Sequence, residues 1–208
     1  MRLLPYGDRA LLVELADGDE ALDLAEALRD DPPACLGDLV PAARTVLLVA
    51  ASGAGVPDLR RCLDGIDLSV PRHRAAAAEV VEIPVVYDGD DLDDVAAHTG
   101  LSTREVVAAH TGQTWRVAFG GFAPGFGYLV GEDDRLHVPR REESRTRVPA
   151  GAVALAGEYA GVYPRESPGG WQLIGRTEVA VFDLDRDPAA LLRPGVRVRF
   201  TDVRGASS

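Results

Sequence analysis

Apolar residues arrive in runs of strand length at 10–15 (ALLVEL) and 45–50 (TVLLVA), with a stretch of different period between them. In that stretch, DEALDLAEALR at 19–29, Leu22, Ala25 and Leu28 share one face at helical spacing. Acids crowd its first turn, where the helix dipole favours them. DLRRCLD at 58–64, introduced by Pro57–Asp58, predicts a second short helix. Residues 1–75 therefore read as a small α/β domain. PRHRAAAAE at 71–79 reads as a linker, proline and charge followed by an alanine run.

A second domain is expected over 79–208. EVVEIPVVY (79–87) opens it as a strand, and Pro84, which has no N–H to donate, suggests a sheet edge or a bend. Two short helices are predicted at 91–98 and 102–110. The second begins with Ser102 and Glu105 at the spacing of a capping box. From residue 114 the chain turns to strands punctuated by glycine and proline: TWRVAFGGF, RLHVPR, GAVALAG, GWQLIG, EVAVFDL and VRVRF. In the last of these, Val196, Val198 and Phe200 alternate with Arg197 and Arg199, the mark of a half-exposed strand. Many short strands with turn signals argue for a closed or strongly bent sheet.

Composition narrows the functional classes. With 46% hydrophobic and 26% charged residues the 208-residue chain reads as an ordinary soluble protein. A formal charge of −11 disfavours nucleic acid and anionic membranes as partners. No apolar run approaches the roughly 20 residues of a membrane span, and Asp8 and Glu14 come too early for a signal peptide. Cys35 and Cys62 stand alone, without CxxC spacing or a nearby histidine, so neither a disulfide nor a metal site is expected and a cytoplasmic location is the default. All 22 basic residues are arginine. The absence of lysine excludes a phosphate-loop lysine, a Schiff base, a biotinyl attachment point and a Ser–Ser–Lys amidase centre.

Three stretches could carry chemistry. GGFAPGFGYL (120–129) has the glycines to aim backbone N–H groups at an anion, or simply to turn while packing Phe122, Phe126 and Tyr128. RLHVPRREESRTRVPAG (135–151) gathers Arg135, Arg140, Arg141, Arg145 and Arg147, whose guanidinium forks suit carboxylate or phosphate. The same charges read equally as a solvated hairpin neutralised by Glu142 and Glu143. His137 lies on a predicted strand there, and the titration range of a histidine suits acid–base work. GVYPRESPGGWQLIGRT (161–177) has Pro168 and Gly169 in the order of a type II turn. Such a turn would set Tyr163, Arg165 and Glu166 opposite Trp171, Gln172 and Arg176. The segment reads as a tight hairpin, as one wall of a cleft for a small, planar, anionic molecule, or as both.

VPAGAVALAGEYAGVYPRESPGGWQLIGRT, with GFAPGFGYL upstream, LLRPGVRVRF near the end and YGDRALLVEL near the start, strongly resembles the allophanate hydrolase subunit 1 family. That family takes in the B-type component of prokaryotic 5-oxoprolinase and the KipI-type kinase inhibitors. The resemblance implies an α+β fold, a small α/β N-terminal domain followed by a cyclophilin-like β-barrel. It also implies a non-autonomous subunit that works with a homologous subunit 2 (C-type) partner and an A-type subunit. Together these open the lactam of 5-oxoproline to glutamate at the expense of ATP, whose site is not located in this chain. On this view His137 and Glu166 are the catalytic candidates, and Tyr163, Arg165, Gln172 and Arg176 the substrate-binding ones. Urea or allophanate chemistry and a histidine-kinase inhibitor remain as alternatives. Members commonly carry a PGFPYL-type loop and a Gly-Gln-Thr-Gly segment; here Gly127 and Glu158–Tyr159–Ala160 stand in their place.

Overall fold

The computed structural model describes residues 1–66 and 80–203, so the linker expected over 71–79 lies outside the described residues. The chain divides into two compact units, Met1–Ala77 and Ala78–Ser208.

The first unit runs β1 (Arg2–Tyr6), β2 (Ala10–Glu14), α1 (Gly18–Asp30), β3 (Leu36–Pro41), β4 (Thr45–Ala50) and α2 (Val56–Leu63). Its antiparallel sheet has the order β1-β2-β4-β3. Asp17 caps α1, accepting the Glu20 N–H at 2.9 Å, while Glu20 accepts the Ala16 N–H at 3.0 Å. Two otherwise orphaned amides are thereby satisfied. One sheet face supplies Leu11, Val13, Val46 and Leu48, and the helices bring Leu24, Leu28, Leu59 and Leu63 to the same cluster.

The second unit continues with β5 (Val80–Val85), α3 (Leu92–Thr99), α4 (Thr103–Thr111), β6 (Trp115–Gly120), β7 (Gly127–Val130), β8 (Arg145–Val148), β9 (Ala152–Ala156), β10 (Tyr159–Val162), β11 (Ser167–Gly169), β12 (Gln172–Arg176) and β13 (Arg197–Asp202). Seven strands form one sheet in the order β12-β9-β10-β7-β6-β13-β5, parallel only between β13 and β5. Just past β5, Val86 and Arg176 exchange N–H···O bonds of 2.9 Å in both directions, bringing the two ends of the sheet together. A Cβ at Gly175 would strike the Val86 carbonyl, so closure of this barrel depends on a missing side chain. Pro84 sits in the terminal strand β5, where the absent N–H is tolerated. The fold is α+β, a small α/β unit followed by a nearly closed barrel of the cyclophilin-like kind. The Ser102–Glu105 capping box forms as read, with the Ser102 N–H donating to Glu105 at 2.8 Å.

The strand β9 explains how the barrel carries two layers. Val153 and Leu155 point into the inner core with Val117, Leu129, Val162, Ile174 and Phe200. Ala152, Ala154 and Ala156 face outward under a second cluster built from Phe126, Val148, Tyr163, Trp171 and Leu173. Small residues on the outer face let that aromatic layer lie close to the sheet.

Two expectations are revised. Ser167–Gly169 is not a hairpin turn: it forms β11 and pairs with β8, outside the barrel. The segments on either side instead form ladders with opposite edges of β9, so β10 and β12 are not neighbours. EVAVFDL forms no continuous strand; Phe182 makes a single bridge to Ala190 and lays its ring where a Cβ on Gly125 would be.

Candidate functional site

Outside the barrel, against the alanine face of β9, lies a hollow of about 100 Å³ lined by Phe122, Phe126, Tyr128, Arg140, Tyr163, Gly169, Gly170 and Trp171. Its base is a set of edge-to-face rings: Phe126 meets Tyr163 and Trp171 at centroid separations of 5.3 Å, and Tyr128 meets Trp171 at 5.5 Å. Tyr159 extends this layer, edge-on to Phe119 and Tyr128. Gly169 is required by proximity, since a Cβ there would run into the Tyr163 hydroxyl. Phe122 stands at the mouth with φ 63° and 58% of its surface exposed. An aromatic residue rarely adopts that backbone conformation.

Tyr163 is 2% exposed. Burial raises its phenol above the usual range, opposed by the Trp171 N–H that its oxygen accepts and by the nearby charge of Arg140. The group is therefore a neutral hydroxyl at physiological pH.

The arginine-rich segment is organised by a residue that sequence reading missed. Asp91, 1% exposed, accepts from Arg145 through two bonds of 2.8 Å, from Arg141, and from the Leu173 N–H at 2.7 Å. Burial alone would raise this carboxyl, but those hydrogen bonds and the two guanidinium charges hold it below the usual carboxylate range. An aspartate opening a helix is too common to signal such a role. The Arg141 N–H also donates to the Gly170 carbonyl at 2.8 Å, which fixes the segment beside the hollow.

The candidate residues from the sequence are dispersed. Tyr163 alone among them lines the hollow. Gln172 is buried and faces away from the outer cluster that holds Trp171; its Nε2 donates to the Pro139 carbonyl at 3.2 Å and its Oε1 has no partner among the described residues. Arg176 is half exposed and pairs with Asp88 at 3.2 Å. Glu166 pairs with Arg147 at 2.6 Å on the surface, and Arg165 is exposed beside it. His137 is exposed at a separate wide depression shared with Glu158 and Tyr159.

No group of three or more metal-ligating side chains lies together among the described residues. ATP does not fit the hollow, which is well below the roughly 300–1,000 Å³ of sites for drug-sized ligands.

The profile of the carboxyltransferase domain, subdomain C and D, matches residues 1–192. The chain belongs to this family. It is 54% identical over 123 residues to the B-type component of 5-oxoprolinase from Escherichia coli O157:H7, a stretch covering 58% of this chain and 56% of that protein. It is 46% identical over 127 residues to the B-type component of 5-oxoprolinase from Bacillus subtilis strain 168, covering 60% and 53%. The matched stretch is thus little more than half the length of these curated relatives. Among solved structures, a conserved uncharacterized protein, PH0987, from Pyrococcus horikoshii aligns over 97% of both chains with 36% identity and a TM-score of 0.57.

Proposed function

We propose that this carboxyltransferase-family chain is the B-type component of a heteromeric, ATP-dependent 5-oxoprolinase, contributing part of a shared site at which 5-oxoproline is opened to glutamate. The observation that carries this reading is the 54% identity to a protein named as that component of 5-oxoprolinase. Opening a lactam destroys amide resonance, so coupling to a second, exergonic reaction is chemically reasonable. The nucleotide then belongs to an A-type subunit, in keeping with a hollow too small for it and a chain without lysine.

Within this reading Tyr163 is the substrate-binding residue of the hollow. Arg165, Glu166 and Arg176 are proposed for the surface shared with the companion C-type and A-type subunits. His137 is kept for proton transfer at that surface, where its ring is open to solvent and to a partner. Gln172 offers a buried carbonyl oxygen that still needs a donor. No helix among the described residues is long and apolar enough to cross a membrane, and a cytoplasmic location is proposed.

The test is reconstitution. The chain is combined with its A-type and C-type partners, and glutamate release from 5-oxoproline is followed with and without ATP. Glutamate formation that needs this chain and ATP is the expected result; full turnover in its absence ends the proposal.

A further inference from the structure

We propose that the aromatic hollow on the outer face of the barrel binds a small ring bearing one carboxylate, and that Arg140 is the residue that pairs with that carboxylate. The identity of the ring, a five-membered cyclic amide, rests on the function proposed above; the carboxylate site itself rests on the structure.

The first argument is the disposition of charge. Arg135 is held by Asp133 at 2.7 Å, Arg141 and Arg145 by Asp91, and Arg147 by Glu166 at 2.6 Å. Arg140 has no carboxylate partner among the described residues, and it is the arginine that lines the hollow. Its neighbour is fixed on both sides, by the side chain to Asp91 and by the backbone to Gly170. Arg140 is exposed and lines the hollow, and its fixed neighbour holds the backbone there in place. An arginine without a carboxylate partner among the described residues, carried on a fixed segment beside an aromatic hollow, suits recognition of an anion.

Shape supplies the second argument. Gly169 and Gly170 bring bare backbone to the hollow, where added Cβ atoms would meet the Tyr163 hydroxyl and the Ser144 hydroxyl. The remaining walls are the rings of Phe122, Phe126, Tyr128 and Trp171, which suit a flat apolar face. A volume of about 100 Å³ admits a small ring and excludes nucleotides and peptides. Tyr163 lines the hollow, and its neutral hydroxyl can donate a proton to a ligand oxygen. Phe122 is held exposed at the entrance in an unfavourable backbone region, the kind of strain that collects at ligand sites.

Three molecules separate the contributions: 5-oxoproline, cyclopentanecarboxylate (ring and carboxylate, no amide) and 2-pyrrolidinone (ring and amide, no carboxylate). Binding of each to the 208-residue chain is measured by saturation-transfer NMR and calorimetry, for wild type, Arg140→Ala, Arg140→Lys and, as a control on the exposed face of β13, Arg199→Ala. Both carboxylates should bind and 2-pyrrolidinone should not. Arg140→Ala should weaken carboxylate binding roughly 30-fold, Arg140→Lys less, and Arg199→Ala hardly at all. Equal binding of 2-pyrrolidinone, unchanged affinity in Arg140→Ala, or no carboxylate binding by the wild type overturns the inference. A parallel arm measures turnover of the reconstituted complex. There Arg140→Ala should raise KM for 5-oxoproline roughly 30-fold with kcat less affected. Normal turnover with an unaffected KM removes the carboxylate site and leaves the oxoprolinase reading standing. Carboxylate binding that needs Arg140, beside a complex that releases no glutamate, removes the oxoprolinase reading and leaves the site.

Discussion

The carboxylate of Asp91 accepts the N–H of Leu173 at 2.7 Å, joining two residues 82 positions apart in sequence. Through Arg141 and Arg145 the same carboxylate anchors the segment that runs past the hollow. Removing it leaves two partly buried guanidinium groups and one buried amide without their acceptor. Asp91→Ala is therefore expected to cost about 2–4 kcal/mol, measured by urea denaturation at pH 7. The sign of the pH effect follows from the lowered carboxyl pKa. The stabilisation is complete above the ordinary carboxylate value of about 4 and disappears as pH falls through the lower, folded value. The Asp91→Ala difference should shrink only in that acid window. A difference already absent at pH 6 would show that the network contributes nothing through charge.

Gly169 and Tyr163 should be coupled. A methyl group at residue 169 collides with the phenol oxygen, and the phenol lies in a closed aromatic cluster with little room to yield. Gly169→Ala should destabilise by about 1–3 kcal/mol and reshape the hollow. Tyr163→Phe removes the oxygen but keeps the ring, so the double variant should recover about 1 kcal/mol relative to additivity. Strict additivity in a thermal-denaturation cycle would mean that the two positions do not share this space.

How much of this was legible in the sequence depends on the range of the interaction. The Ser102–Glu105 box and the alternation of Val198 and Phe200 with Arg197 and Arg199 are local, and the structure keeps them. The turn expected at Pro168 rests on local preference, but ladders with both edges of β9 outcompete it. Once β12 pairs there, alternation sends Trp171 to the outer cluster and Gln172 to the other face, so two adjacent residues cannot share one cleft. Asp91 and Arg145, 54 positions apart, meet only through the barrel's closure. No spacing within either segment announces that pair.

The surface ion pairs should matter little to stability. Arg176 with Asp88 and Arg147 with Glu166 are both solvent-exposed. Alanine at Arg176 or Glu166 should change stability by less than about 1 kcal/mol, and the change should fade further in roughly 0.5 M salt. Because folding is preserved, any large loss of turnover in the reconstituted complex would be attributable to the shared surface. Loss of more than about 2 kcal/mol in urea denaturation would show instead that these pairs hold the barrel together.

His110 is expected to make the barrel sensitive to mild acid. The ring is enclosed by Trp115 and Phe200, with centroids at 5.0 and 4.3 Å, and its Nδ1 shares a hydrogen bond of 2.7 Å with the Tyr87 hydroxyl. Burial among these apolar groups pushes its pKa down to about 3. An unfolded histidine titrates near 6.5, so between those values the unfolded chain takes up a proton that the folded chain refuses. Stability is then fully present above about pH 6.5 and falls with acidification, by about 1 kcal/mol for each pH unit. His110→Gln removes the titrating ring and keeps a side chain able to bond Tyr87. The variant should be less stable than wild type at about pH 7.5, by about 1–2 kcal/mol, because it loses the ring packing. Between about pH 6.5 and 4.5 its stability should decline more slowly than that of wild type, until the two curves converge. Urea denaturation at several pH values across that range decides the matter, and parallel curves would assign the acid sensitivity to other groups.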